Sequence, residues 1–130
     1  MYPSRTVTVA IDRPLQRVYE FLAEPANLTR WTQISVRDWH KAAAHVWQAG
    51  GIRIRFTPPN RFGILDIAVE GTQFGTQFLP ARLYTNGEGC ELAITLFRLD
   101  DMSEELFVSE CAWIEADLQV LKTYLESLNT

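Results

Sequence analysis

The last quarter of the chain carries one uninterrupted helical pattern, from Ser103 to Leu128. Ser103 is a good N-cap, because its hydroxyl can accept a hydrogen bond from a free N–H group of the first turn. Met102 and Phe107 have the spacing of a hydrophobic staple around that cap. Apolar residues at alternating steps of four and three then draw one seam along the predicted helix, namely Phe107, Cys111, Ile114, Leu118, Leu121, Leu125 and Leu128.

A coiled coil has the same seam spacing, so the sequence upstream of the helix decides between two interpretations. The seam does not continue before Ser103, and the runs that precede it are short and β-like. The pattern therefore favours a single long helix laid across a β-sheet.

The first thirty residues change from the two-residue period of a strand to a helical period. Thr6–Asp12 alternates between apolar and polar positions, which predicts a half-buried strand. Leu15–Leu22 then repeats its apolar residues at helical spacing, with Asp12 placed to cap the helix and Pro14 near its first turn. Pro25 ends this helix and starts a second short turn.

Short strands fill the middle of the chain. Alternation and turn signals predict them over 34–40, 45–48, 52–57, 64–70, 76–85 and 90–99. Asn86–Gly89 joins the last two as a hairpin, and Pro80 lies inside one strand, where its missing N–H must face an edge or a bulge. One strand, two short helices, a run of antiparallel strands and a long helix make an α+β fold with an antiparallel sheet.

Composition narrows the class of protein. A chain of 130 residues, 47% of them apolar, argues against disorder and is enough for one domain that spans 1–130. The net charge of −4 argues against nucleic acid or an anionic membrane surface as the partner. No apolar run is long enough for an integral membrane protein and no signal peptide is visible, so we expect a cytoplasmic location. Cys90 and Cys111 are expected to be free thiols.

Several motifs resemble the SRPBCC superfamily, the group of START-like, Bet v 1-like and polyketide cyclase/dehydrase-like domains. Its opening is similar to Val7-x-Val9-x-Ile11-Asp12-Arg13-Pro14, Val18-Tyr19-x-Phe21-Leu22 and Pro25-x-Asn27-Leu28-x-x-Trp31. Later motifs of the chain resemble a bacterial subfamily of this group. They are Pro80-x-Arg82, Asn86-Gly87-x-Gly89 and Thr95-Leu96-Phe97-Arg98, leading to Met102-Ser103. The resemblance covers nearly the whole chain.

The resemblance implies a helix-grip fold. In that fold a curved antiparallel sheet wraps around the long C-terminal helix, two short helices follow the first strand, and a cavity lies between sheet and helix. Members bind lipids, sterols, polyketides, aromatic metabolites or quinones, and some are cyclases or hydrolases. The fold therefore does not settle the function.

Alternation indicates which side chains we expect in that cavity. The inward positions of the predicted strands are almost purely aliphatic, and the helix seam faces them. Together with two tryptophans they predict a ligand pocket lined by Trp31, Trp47, Ile54, Phe56, Leu65, Ile67, Leu79, Ala81, Ile94, Phe107, Cys111 and Ile114.

Polar anchors for a ligand are few. The Arg82 side chain has two possible positions. Either it forms cross-strand ion pairs on the solvated face, or a bulge at Pro80 turns it into the cavity, where it and Thr95 would anchor a ligand carboxylate or carbonyl. His45 is either a surface histidine or a general base near the cavity mouth. Neither histidine has ligands at zinc spacing and no nucleophile elbow is present, so we predict no metal, no cofactor and no catalytic residue.

Three classes of function remain. The first is a protein that binds, transports or sequesters a hydrophobic small molecule, such as a lipid, a polyketide or an aromatic metabolite. The second is an enzyme of the cyclase/dehydratase kind, which needs a buried acid–base pair that the inward strand positions do not supply. The third is a protein-interaction module, which would present an exposed apolar patch and no cavity. A homodimer is left open.

Overall fold

The computed structural model describes residues 1–33 and 38–128. Two α-helices, a 3-10 helix and eight strands are present in this part of the chain. In chain order they are β1 (Ser4–Ile11), α1 (Leu15–Leu22), the 3-10 helix (Pro25–Arg30), β2 (His40–Ala43), β3 (Val46–Ala49), β4 (Ile52–Phe56), β5 (Ile67–Thr72), β6 (Gly75–Leu79), β7 (Ala81–Asn86), β8 (Gly89–Phe97) and α2 (Glu104–Ser127).

The strands form two curved antiparallel sheets around the long C-terminal helix. One sheet has the order β1-β8-β7 and the other has the order β2-β3-β4-β5-β6. With the two short helices after β1, this arrangement confirms the predicted α+β helix-grip architecture. Among the residues that the structure describes, no helix is long and apolar enough to cross a membrane.

The chain passes from one sheet to the other at Pro80. The single strand predicted over 76–85 is therefore two strands, β6 and β7, because Pro80 has no N–H with which to continue a ladder. Its carbonyl oxygen still accepts a hydrogen bond from the Thr95 N–H at 2.9 Å. The bend at this residue lets one continuous run of chain contribute to both walls of the fold.

A short segment before β5 ties the two sheets together. The predicted strand 64–70 begins as a strand only at Ile67, and Ile64 makes an isolated bridge to Arg82. Leu65 N–H donates to the Ala81 carbonyl at 2.9 Å, and Leu83 N–H donates to the Gly63 carbonyl at 2.8 Å. Residues 63–65 therefore pair with β7 while the chain that follows joins the other sheet.

Two other strand predictions need new boundaries. The strand predicted over 34–40 falls mostly on 34–37, which lie outside the described residues, and β2 begins at His40. The strand predicted over 45–48 begins at Val46, because His45 occupies the turn with a positive φ of 58°.

α2 begins as its sequence predicts and buries its seam. The Ser103 hydroxyl accepts a hydrogen bond from the Leu106 N–H at 3.1 Å, so Ser103 is the N-cap. Five of the seven seam residues are buried, Ile114 is partly exposed and Leu128 lies past the end of the helix, where it is exposed. The buried ones are Phe107, Cys111, Leu118, Leu121 and Leu125.

The start of α1 and the end of α2 are joined by polar contacts that correct the prediction for Asp12. Pro14 occupies the N-cap of α1, and no side chain caps it. Asp12 instead uses its backbone N–H, which donates to the Glu126 carboxylate at 2.8 Å. Lys122 donates to the same carboxylate at 2.7 Å and to the Ala10 carbonyl at 2.6 Å. These contacts attach the last turns of α2 to the end of β1.

Candidate functional site

A cavity of about 420 Å³ lies between the two sheets and α2. Both sheets contribute to it, and their side of the wall is mainly aliphatic. The strand residues that line it include Ile52, Ile54, Phe56, Ile67, Val69, Leu79, Ala81, Leu92, Ile94 and Leu96. The first helical region adds Leu22, Leu28 and Trp31, and α2 adds Glu110, Trp113, Ile114 and Asp117.

Strand alternation explains why the wall is aliphatic. Ile54 lies opposite Val69 and Ile67 lies opposite Leu79, so cross-strand neighbours present their side chains on the same inner face. The charged residues between them point outward, where Arg55 pairs with Glu70 at 2.5 Å. The inner and outer faces of the strands therefore separate apolar from charged side chains, as alternation predicts.

One exposed aromatic residue marks the opening of the cavity. Trp113 on α2 is 53% exposed, yet it lines the cavity. A residue that lines a cavity and also meets solvent lies at its mouth. The opening is therefore beside the middle of α2, where Trp113 lies one step off the helix seam.

Two carboxyl groups face this apolar space. Asp117 is only 8% exposed, and burial raises the pKa of its carboxyl. Burial also raises the pKa of Glu110, and a weaker hydrogen-bonding interaction with the Gln77 side chain lowers it in part. Among the described lining residues no Lys, Arg or His is present. The cavity thus holds two acids, two helical turns apart on α2, without a cationic side chain.

Asp117→Asn should raise the melting temperature at neutral pH but not in strong acid. Well below the ordinary pKa of an aspartate, about 4, the folded and unfolded chains both carry the protonated group. As the pH rises, the unfolded chain ionises first, because burial raises the pKa in the folded chain. The Asp117 carboxyl therefore lowers the stability of the wild type until the pH exceeds the folded pKa, and this contribution is absent from the variant. Thermal melts from pH 3 to pH 7, run on both proteins, measure the difference.

The control for this measurement is Glu115→Gln, which removes an exposed carboxylate from the same helix. Glu115 pairs with Arg5 at 3.1 Å on the surface, so the control should show no stabilisation toward neutral pH. A difference between Asp117→Asn and wild type that stays constant with pH would mean that the Asp117 carboxyl is not buried at a cost.

Most of the residues predicted for the pocket do line the cavity, whereas their role in binding stays a prediction. Those that line it are Trp31, Ile54, Phe56, Leu65, Ile67, Leu79, Ala81, Ile94 and Ile114. Trp47, Phe107 and Cys111 do not belong to the lining.

The three exceptions have different neighbours from those expected. Trp47 shares an inner face with Ile54, its cross-strand partner, but packs against Trp39 in a tilted arrangement with ring centroids 5.5 Å apart. Phe107 and Cys111 are buried in the seam of α2, which packs into the core beside β1. Burial raises the pKa of the Cys111 thiol, which argues against a nucleophilic role.

None of the three predicted polar anchors faces the cavity. Arg82 points outward with its side chain about half exposed and pairs with Asp66. Thr95 exchanges a hydrogen bond with the Thr6 hydroxyl at 2.7 Å on the outer face of the β1-β8-β7 sheet. His45 is exposed in the turn between β2 and β3. The bend at Pro80 does not turn Arg82 inward, so the solvated-face interpretation of its charge is the correct one.

Sequence reasoning missed Glu110 and Asp117. The inward positions of the predicted strands hold no charged residue, and the apolar seam of α2 does not include these two acids. The signal was a second stripe on the helix, in which Glu110, Ile114 and Asp117 follow one another at steps of four and three. A curved sheet covers more of the helix surface than the apolar seam alone. Glu110 and Asp117 lie beside the seam, on the part of that surface that faces the cavity.

No protein-family model and no curated protein matches the chain, whereas solved structures do. CalU16 from Micromonospora echinospora is 17% identical with a TM-score of 0.69, over 98% of this chain and 76% of that protein. Ara h 8.0201 is 7% identical with a TM-score of 0.71, over 98% of this chain and 100% of that protein. The Aha1 dimer from Colwellia psychrerythraea is 15% identical with a TM-score of 0.73, over 96% of this chain and 97% of that protein.

Identities this low carry information about the fold alone, and the likeness extends over nearly the full chain. The architecture of the chain, with curved antiparallel sheets around a long C-terminal helix, agrees with its likeness to these solved structures. The chain therefore has the helix-grip fold that these solved structures share, as the resemblance in its sequence implies.

Proposed function

We propose that this protein binds a hydrophobic small molecule, aromatic or acyl, in the cavity between the sheets and α2. The observation that carries the proposal is a space of about 420 Å³ with an aliphatic wall and an open mouth. Its size is within the range of roughly 300–1,000 Å³ that is usual for small-molecule sites. A protein that only packed its own core would fill such a volume with side chains.

The apolar wall supplies the driving force for binding. Each methylene group that leaves water for this wall contributes about 0.8 kcal/mol. An acyl chain or a two-ring aromatic body therefore gains several kcal/mol without any hydrogen bond. Specificity then depends on the few polar groups in the lining, since these are costly to leave without a partner.

Narrowing the cavity at Ile67 should abolish binding without unfolding the protein. Ile67 on β5 lines the cavity, so Ile67→Trp places an indole in the space that a ligand would use. The neutral probe N-phenyl-1-naphthylamine, which fluoresces in apolar surroundings, should bind the wild type and raise its melting temperature by mass action. Its affinity for Ile67→Trp should fall tenfold or more.

The matched control is Ala68→Trp, one position along the same strand. Alternation turns residue 68 away from the cavity, and Ala68 does not line it. The control should bind the probe like the wild type. Equal binding by the two variants, or a wild type that binds neither this probe nor other apolar ligands, would refute the proposal. Circular dichroism on all three proteins separates lost binding from lost folding.

The second candidate function is an acid–base enzyme of the cyclase/dehydratase kind, and the observation that favours it is the pair of cavity carboxyls. A carboxyl whose pKa is raised by burial remains protonated closer to neutral pH, which suits a general acid. Binding is the better-supported function, because no described lining residue is a base paired with either acid. Recovery of a bound ligand unchanged supports the binder, whereas its conversion supports the enzyme.

A further inference from the structure

The ionisable side chains in the described lining of the cavity are both acidic. Its described lining includes the carboxyls of Glu110 and Asp117 and no Lys, Arg or His. Ion pairs of the described chain lie outside the cavity, as in Arg82 with Asp66 and Arg5 with Glu115. Neither cavity acid is a member of such a pair.

Among the residues described, Asp117 is the clearest example of a cavity acid without a partner. It is 92% buried, as its exposure of 8% implies, it lines the cavity, and no hydrogen bond or ion pair to it is present in the described structure. A buried carboxyl with no partner is costly to the folded state. Burial accordingly raises its pKa, with no cation to counteract the effect. An acid in this position lacks a partner that a ligand can supply.

We propose that the cavity selects apolar amines, with the ligand's ammonium group against the Asp117 carboxylate and its apolar body along the aliphatic wall. This inference rests on the proposed binding function and names its ligand class. A ligand ammonium would be the missing counterion, and a charged hydrogen bond in an apolar site is stronger than a neutral one. A carboxylate ligand of the same shape would add a third negative charge to the cavity.

The position of the second acid is consistent with this orientation. Glu110 lies seven residues before Asp117, which is about 10 Å along the helix. It is more exposed than Asp117 and lies nearer the end of the cavity that Gln77 and Phe78 border. Its charge therefore adds to the negative charge that a cation meets in the cavity.

Three probes with one apolar body and different head groups test the proposal. They are 2-naphthylmethylamine, 2-naphthalenemethanol and 2-naphthoate, and their affinities are measured by calorimetry at pH 7. The wild type should bind the amine most tightly, the alcohol next and the acid least, with the amine about tenfold or more above the acid. Asp117→Asn should weaken the amine about tenfold and leave the alcohol unchanged.

Glu115→Gln, which removes an acid outside the cavity, should preserve the order of the three affinities. The proposal is overturned if the wild type binds 2-naphthoate as tightly as the amine, or if Asp117→Asn keeps the full preference for the amine. If the alcohol binds but the amine binds no more tightly, only the preference for amines fails. If none of the three probes binds but N-phenyl-1-naphthylamine does, this inference fails and the proposed function stands; if that probe and other apolar ligands also fail to bind, both fail.

Discussion

Leu118→Asp should leave the protein largely unfolded at room temperature. Leu118 is 1% exposed on the seam of α2, and its side chain packs into the core cluster beside β1. The substitution removes a buried apolar side chain, which alone costs about 2–5 kcal/mol, and it buries a charge without a partner. The total is comparable to the whole free energy of unfolding of a domain, roughly 5–15 kcal/mol. Circular dichroism and a denaturant titration measure the loss.

The matched control introduces the same residue two positions further along the helix. Val120 is 50% exposed, so Val120→Asp removes little packing and leaves the new charge in water. Its free energy of unfolding should change by about 1 kcal/mol or less. If the two variants were equally destabilised, the seam would not be the face that α2 buries.

Gly63→Ala should cost about 3 kcal/mol of stability, the second-largest effect expected here. Gly63 has a φ of +70°, which costs a residue with a Cβ about 1–2 kcal/mol. A Cβ at this position would also lie far inside van der Waals contact with the Leu83 carbonyl oxygen. That contact would separate residues 63–65 from β7 and weaken the hydrogen bond from Leu83 N–H to the Gly63 carbonyl. Thermal and urea melts measure the loss.

Gly75→Ala separates the two causes. Gly75 also has a positive φ, +84°, but a Cβ added there meets no atom within 4 Å. It should therefore lose only the backbone contribution, about 1–2 kcal/mol. Equal losses at the two glycines would show that the chain near Leu83 can move aside, and that the close pairing of residues 63–65 with β7 is not required.

The sequence predicts the elements whose period is clear. β1 alternates so regularly that one register alone buries Val7, Val9 and Ile11, and a shift by one residue would expose all three. α2 is predicted equally well, because its cap and its seam both occur in local sequence. Pro80 was recognised as a disturbance, but its consequence, a change of sheet between β6 and β7, depends on long-range pairing that no local pattern contains.

The sequence predicts the cavity residues that the strands contribute, but not the two acids that α2 contributes. Alternation finds Ile54, Ile67 and Ile94 because a strand has only two faces. A long helix has a continuous surface, and the angle over which it meets a curved sheet depends on the sheet, so Asp117 was not distinguished from solvent-facing acids. Alternation also places Trp47 on the correct, inner face of its strand, but it does not predict that the indole packs against Trp39 and not into the cavity.

The pairing of β1 with β8 has a consequence for the order in which the molecule can form. Ser4 pairs with Phe97, and α2 packs against β1, so the first strand has its main partners in the last third of the chain. During synthesis β1 emerges from the ribosome before β8 and α2, so it has neither partner until both have followed. Contacts between residues this distant in sequence close large loops and slow folding. The helix-grip core should therefore form only once β8 and α2 are available, in one cooperative step, rather than growing outward from β1.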